Sequence, residues 1–198
     1  MRYAFSLLKN RISENEIAFK IEEYFARNGT RPAFLPIVAS GPNSAWPHHV
    51  SSSRSVRADD VVLIDLGCTY NGYCSDLTRT FFLGKINKLR QKVKGLVKKA
   101  HDTALQDIRP GKAAREIDRA SRDVISKGGY GDFFIHTTGH GLGVTVHEPP
   151  RISSLNQSKL KAGMVITVEP GIYLPGEFGV RIEDTVLITN KGREVLTS

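Results

Sequence analysis

Cysteine is nearly absent from this chain, and acid is missing from one long stretch of it. Only Cys68 and Cys74 occur among 198 residues, which excludes a disulfide framework. No run is long and apolar enough to span a bilayer as a helix. The N-terminus, MRYAFSLLKN, lacks the apolar core and cleavage site of a secretory leader. A cytoplasmic location is the expectation from these absences. Between Asp76 and Asp102 there is no acid at all, although the segment carries Lys85, Lys88, Lys92, Lys94, Lys98 and Lys99. It contributes heavily to the net charge of +8. Ile86, Leu89, Val93, Val97, Ala100 and Ala104 recur there at helical spacing, so the segment reads as an amphipathic helix with a solvated basic face. No aromatics are interleaved and no recognition motif accompanies the charge, which argues against a nucleic-acid partner.

What is present suits one domain with a sizeable core. Ser13 and Glu16 fit a capping box ahead of Ile17, Ile21, Tyr24 and Phe25, and Gly29 is the matching stop, which predicts a helix over 14–28. VVLIDLG (61–67) reads as a buried strand. Asn71-Gly72 marks a tight turn, and a second strand is expected from Asp76 to Phe82. The basic helix is expected over 86–107. Pro110-Gly111 breaks the chain, and a further helix is expected over 113–127, ending at Gly128-Gly129. A glycine-rich loop and strand region covers 135–150. Two more strands are expected, VITVEPGIY (165–173) and VRIEDTVLI (180–188). The two strand pairs look like weak copies: VLIDLGCTY and VITVEPGIY each have an acid, then glycine two residues on, then tyrosine.

The chemistry lies in Asp65, Asp76, Glu169 and Glu183, each in a short apolar, glycine-punctuated segment where an unpaired charge is costly. One such acid alone would read as a surface carboxylate or a salt-bridge partner. Four in corresponding strands would repel one another unless cations neutralise them, so the set reads as a site for two divalent ions. If Asn71-Gly72 is a two-residue turn, Asp65 opposes Thr78 and shares a face with Asp76, their Cβ atoms about 7 Å apart. Acids so placed can share ions about 3.5–4 Å apart, and a metal-dependent hydrolase is the leading reading. The same register turns Cys68 and Cys74 to opposite faces.

His136 and His140 have the i, i+4 spacing of a helical zinc pair, but the glycines between and after them oppose a helix. His140 is better read as a single ligand on a strand or loop. His48 and His147 standing alone would be ordinary packed or exposed imidazoles. No role is assigned to His49 or His101.

At these residues the chain resembles the pita-bread metallopeptidases, the group of methionine aminopeptidase, aminopeptidase P and prolidase. The matching motifs are SGPNSAWPHH, VVLIDLGCTYNGYCSDLTRTFF, IHTTGHGLGVTVHEPP, GMVITVEPGIY and GVRIEDTVLIT. VEPGIY and GVRIED look like the Xaa-Pro branch. The resemblance implies an α+β fold of two pseudo-symmetric αβ halves around a curved antiparallel sheet. It implies metal ligation by Asp65, Asp76, His140, Glu169 and Glu183. Asp76 and Glu183 would bridge, Asp65 would complete one ion, and His140 with Glu169 the other. The metals would be manganese, cobalt, iron or zinc, with manganese favoured by the resemblance. Substrate contacts would come from His48, His136, His147 and Arg181. Catalysis would involve His48, His147 and Glu169, with Glu169 shuttling a proton and a hydroxide shared by the two ions attacking the scissile bond. The expected activity is removal of an N-terminal residue from Xaa-Pro peptides, as a dipeptidase or aminopeptidase. The rivals are a methionine aminopeptidase and a non-catalytic module that binds protein or nucleic acid. The chain is expected to be a single catalytic domain over 1–198, without the N-terminal domain usual in the Xaa-Pro branch. Its partners would be a peptide substrate and, within what the resemblance allows, a second copy in a homodimer, but no membrane.

Overall fold

Asn71 and Gly72 have φ angles of 48° and 84°, the left-handed pair that a two-residue hairpin turn of this type requires. The structure is a computed structural model and describes residues 1–8 and 12–197. The first half contains helices α1 (Arg2–Ser6) and α2 (Glu14–Arg27), strands β1 (Arg31–Pro32) and β2 (Ile37–Ser40), and a 3-10 helix (Gly41–Ala45). It continues with β3 (Val61–Leu66), β4 (Cys68–Tyr70), β5 (Tyr73–Cys74) and β6 (Leu77–Phe82). Helices α3 (Lys88–Asp107) and α4 (Ala114–Lys127) follow, with a short 3-10 turn over Gly131–Phe133. The second half contains β7 (Gly139–Gly141), β8 (Glu148–Ile152), β9 (Val165–Val168), β10 (Gly171–Leu174), β11 (Phe178–Arg181), β12 (Asp184–Thr189) and β13 (Gly192–Val195).

The turn fixes the register. Asp65 pairs with Thr78 in the β3–β6 ladder, and Thr69 with Cys74 nearer the tip, as the sequence predicts. Both cysteines are free. The hairpin is interrupted where Ser75 N–H donates to Cys68 O at 2.8 Å and the Ser75 hydroxyl accepts from Cys68 N–H at 3.0 Å. Asp76 therefore lies just ahead of β6, not inside a strand. The second half repeats the interruption. VITVEPGIY splits into β9 and β10 around Glu169-Pro170, and VRIEDTVLI splits around Ile182-Glu183. Proline has no N–H to give to a ladder, which is one reason the pairing stops there. Register carries across the gap (Asp184 with Val168, Gly171 with Arg181), so Glu169 and Glu183 stand opposite each other. The halves are thus imperfect copies, since Asp65 faces a threonine.

Four antiparallel segments make up the sheet region: β2-β3-β6, β1-β4-β5, β10-β11 and β13-β12-β9-β7-β8. They are stitched together near the strand breaks. Glu183 N–H donates to Thr78 O at 3.1 Å, Arg181 N–H to Thr80 Oγ1 at 3.1 Å, and the Thr185 hydroxyl to Asp76 O at 2.8 Å. Helices cover the other faces. Val93, Val97 and Ala100 of α3 pack with Ile125, Ile172 and Val180. Ile117 packs with Ile152, Ile166 and Ile188. Ile17 and Ile21 pack on Val38 and Ile64. Each fully buried Val or Ile contributes about 1.5–3 kcal/mol, enough to hold polar breaks in the sheet between them.

Two helix N-termini differ from expectation, one in position and one in capping. The basic helix begins at Lys88, two residues late, because the Asn87 side chain caps it by accepting from Arg90 N–H. At α2 the expected capping box does not form: the Ser13 hydroxyl donates to Asn15 Oδ1 at 2.7 Å. The first-turn N–H groups of Glu14 and Asn15 donate instead to Arg54 O and Ser52 O, both at 3.0 Å. A distant loop supplies the acceptors that the cap would have supplied. No helix among the described residues is long and apolar enough to cross a membrane.

Candidate metal centre

The strand breaks and the loop after β7 open into a cavity of about 1030 Å³. Its lining includes Asp65, Asp76, His140, Glu169 and Glu183 together with His48, His136, His147 and Arg181. All nine residues singled out by the sequence meet in one place. Donor atoms of Asp76, His140 and Glu183 lie within 4.8 Å of one another. Asp65 and Glu169 stand beside that trio on the same lining.

Local structure explains each position. His140 sits in β7 between two glycines, and a Cβ at Gly139 would lie 2.0 Å from Thr167 O. Only glycine lets β7 approach β9 so closely, bringing His140 to the acids. His140 Nδ1 donates to Gly141 O at 3.0 Å. That leaves Nε2 facing Glu169 Oε1 at 3.3 Å and Asp76 Oδ2 at 3.6 Å. A lone-pair nitrogen so near two carboxylates needs a proton or a cation between them.

The electrostatics make the same demand. Burial, reinforced by Asp65 and Glu169, pushes the Asp76 carboxyl up to about 8. Burial and the neighbouring acids push Glu183 well above the carboxylate range. Asp65 is raised by burial, with Arg181 opposing. Burial would raise Glu169 too, but the His140 hydrogen bond, with His136 and Arg181 nearby, holds it at about 2. Asp65 Oδ1 is buried with no hydrogen-bond partner. A divalent cation would satisfy the orphaned oxygen, the His140 lone pair and the clustered acids together, so the residues fit a metal.

Behind the acids runs a buried hydrogen-bonded chain. Arg181, 3% exposed, donates to Asp65 Oδ2 at 2.5 Å, to Tyr173 Oη at 2.9 Å, to Pro47 O at 3.2 Å and to Thr78 Oγ1 at 3.1 Å. Thr78 Oγ1 in turn donates to Glu183 Oε2 at 2.6 Å. Tyr173 Oη donates to His136 Nε2 at 2.8 Å, while His136 Nδ1 donates to Thr137 O at 2.8 Å. Burial, with Arg181 adding to it, lowers His136 to about 4, so the ring is neutral. Sequence reasoning missed Tyr173 as a site residue and used it only as the end of a repeat. The spacing Glu169…Tyr173 in a broken strand was the available signal. His101, given no role, is buried with Nε2 3.1 Å from Asp184 Oδ2.

The matching family model is that of metallopeptidase family M24, which covers residues 1–190. The chain belongs to metallopeptidase family M24. The family implies divalent metal ions, which the donor set fits. The chain is 49% identical over 185 residues to an Xaa-Pro dipeptidase of Pyrococcus furiosus, covering 93% of this chain and 53% of that protein. It thus spans about half the length of the curated relatives it matches. Prolidase from Pyrococcus furiosus superimposes with a TM-score of 0.97 at 46% identity, over 98% of this chain and 58% of that one. An X-Pro aminopeptidase from Thermotoga maritima gives 0.95 at 40%, over 100% and 57%. These likenesses include the fold, so the α+β pita-bread architecture implied by the motifs holds for this M24 chain.

The raised carboxyls set a pH dependence for the metal-stripped M24 chain. Asp76, and Glu183 with it, bind a proton more tightly folded than unfolded. The Asp76 contribution to stability is complete below the unfolded value of about 4 and is lost as pH rises through about 8, and that of Glu183 is lost in the same direction. Thermal melts of stripped protein should therefore show a higher midpoint at pH 5 than at pH 8. Added divalent metal should raise the midpoint more at pH 8. A stripped protein more stable at pH 8 would contradict the acid clustering.

Proposed function

We propose that the chain is a dinuclear metal-dependent peptidase that removes the N-terminal residue from Xaa-Pro peptides, with dipeptides as preferred substrates. The observation that carries this reading is the convergence of four carboxylates and one imidazole on a single cavity wall. By the resemblance, Asp76 and Glu183 would be shared between the ions, Asp65 would complete one, and His140 with Glu169 the other. The oxygen-rich donor set suits manganese, cobalt, iron or zinc, and manganese is our first choice on the family resemblance. Once bound, the ions would supply Lewis acidity and lower the pKa of a water toward neutrality.

The chain's own residues do the rest. Glu169 would accept the proton released by the attacking water and deliver it to the leaving nitrogen. A proline leaving group makes this transfer matter, because its nitrogen must be protonated to depart. His147 and His48 line the cavity and donate to the oxyanion that develops at the scissile carbonyl. Burial and the His140 ring lower His147, which favours its neutral, singly donating form. Both ring nitrogens of His136 are engaged, so it serves the substrate as a wall. Arg151, an exposed cation of the lining, suits the terminal carboxylate of a dipeptide. A single catalytic domain over 1–198, a homodimeric assembly and a cytoplasmic location complete the reading.

The test is metal analysis coupled to assay on Xaa-Pro dipeptides, Xaa-Pro tripeptides and Met-Ala peptides. Preference for Xaa-Pro dipeptides supports the reading, and cleavage of Met-Ala peptides alone would replace it with a methionine aminopeptidase. His147→Ala should lower turnover about a hundredfold with metal content intact. Loss of metal in that variant would make His147 a ligand.

A further inference from the structure

Outside the cavity lining, at the start of α2, the Glu14 carboxylate is fully buried (0% exposed). Burying a carboxylate costs several kcal/mol unless it is fully hydrogen-bonded. Here it is surrounded by donors, nearly all from one loop. Oε1 accepts from Ser40 N–H at 2.7 Å, the Ser40 hydroxyl at 2.6 Å and Asn43 Nδ2 at 3.0 Å. Oε2 accepts from Ser52 N–H at 3.1 Å, the Ser52 hydroxyl at 2.7 Å and His49 Nε2 at 2.8 Å. Burial alone would raise this carboxyl, but the Ser40, Ser52 and His49 donors bring it below its ordinary value. It is therefore an ionised hub that gathers both ends and the middle of the 40–52 segment.

That segment carries His48 to the cavity. No hydrogen bond holds the His48 ring among the described residues, so its place depends on its backbone. The backbone is pinned on both sides. Pro47 O accepts from Arg181 Nη1 at 3.2 Å, and His49 is held by Glu14. The segment is also fixed at Ser44, whose hydroxyl accepts from Gly179 N–H at 2.9 Å. Arg54 adds a second tie, donating to the Ser40 hydroxyl at 2.5 Å and to Asp60 at 2.6 and 2.9 Å. Directly C-terminal to His48, His49 is tied by its backbone N–H to Trp46 O at 3.2 Å and by its ring to Glu14.

We propose that Glu14 is a positioning residue of the peptide-hydrolysing site: its buried carboxylate fixes the 40–52 segment and thereby holds His48 at the cavity wall. This rests on the functional reading above. Glu14 touches neither substrate nor metal donors; it acts through His49 and the loop backbone. Without it the loop keeps its Arg181 and Ser44 anchors and the Ser51 hydroxyl's bond from Val38 N–H at 2.9 Å, but loses the one group that gathers Ser40, Asn43, His49 and Ser52 together.

The test is a double-mutant cycle on the metal-loaded protein. Glu14→Gln keeps the shape but withdraws the charge and turns one acceptor into a donor facing donors. At a temperature well below unfolding, kcat/KM on an Xaa-Pro dipeptide should fall roughly ten- to a hundredfold, with metal content unchanged. On a His48→Ala background the same substitution should cost less than about twofold more, because the group it positions is already gone. Equal penalties in both backgrounds would overturn the proposal. So would a lowered melting temperature with unchanged kcat/KM, the signature of a purely structural acid. Should Glu14→Gln fail to fold, His49→Gln removes a single link and is read in the same cycle, with a smaller loss that again vanishes beside His48→Ala. An NMR arm is independent of catalysis. The His48 imidazole proton signals should shift and broaden in the variant while those of His147 stay, and unmoved His48 signals overturn the proposal. If the wild-type protein cleaves no Xaa-Pro peptide, the functional reading fails, whereas the NMR arm still decides whether Glu14 positions His48.

Discussion

Asp76→Asn is expected to cut kcat/KM on Xaa-Pro dipeptides about a thousandfold or more, equivalent to about 4 kcal/mol of transition-state stabilisation. It should also lower the content of both metals. Asp76 lies at the break before β6, 4% exposed, with Oδ2 3.6 Å from His140 Nε2 and a donor atom grouped with those of His140 and Glu183. A residue shared by two ions loosens both when its charge is withdrawn. The same substitution should have the opposite sign on the stripped protein. Removing one acid relieves its repulsion with Asp65 and Glu169, the interaction that helps raise its own pKa to about 8. At pH 8 the metal-free variant should therefore melt above the metal-free wild type. Metal analysis and paired melts with and without chelator check both halves. A variant that keeps two tightly held ions would end the bridging assignment.

The second large effect concerns Arg181. Arg181→Met should destabilise the protein by about 3–5 kcal/mol, the usual consequence of stranding one member of a buried ion pair. For a chain of this size that is a fall in Tm of roughly 10 °C. The guanidinium makes four hydrogen bonds, to Asp65, Tyr173, Thr78 and Pro47, and methionine replaces none. Asp65 would be left with neither oxygen bonded, since Oδ1 is already unpartnered. The loss should be larger in the stripped protein than in the loaded one, where a cation still pairs Asp65. Chemical denaturation of both forms measures this, and a cost below about 1 kcal/mol would show that the Asp65–Arg181 contact is not a buried ion pair.

The sequence by itself determined the local pieces. Asn71-Gly72 fixed the β3–β6 register and placed Asp65 opposite Thr78, because turn type alone sets pairing over the next few residues. Apolar spacing fixed α3 and its buried stripe of Val93, Val97, Ala100 and Ala104. The motifs around Asp65, Asp76, His140, Glu169 and Glu183 identified the residues that line the cavity. Tertiary structure decided which partner each polar group takes. The capping box at Ser13 lost to carbonyls of Ser52 and Arg54, about forty residues away. Glu169 and Glu183 fell at strand breaks because Glu183 N–H bonds to Thr78 of the other half. Tyr173 became the link between Arg181 and His136, and Glu14 the hub of the 40–52 loop. Periodicity and turn chemistry are written in neighbouring residues, whereas a buried hydrogen bond is settled only when distant segments close around it.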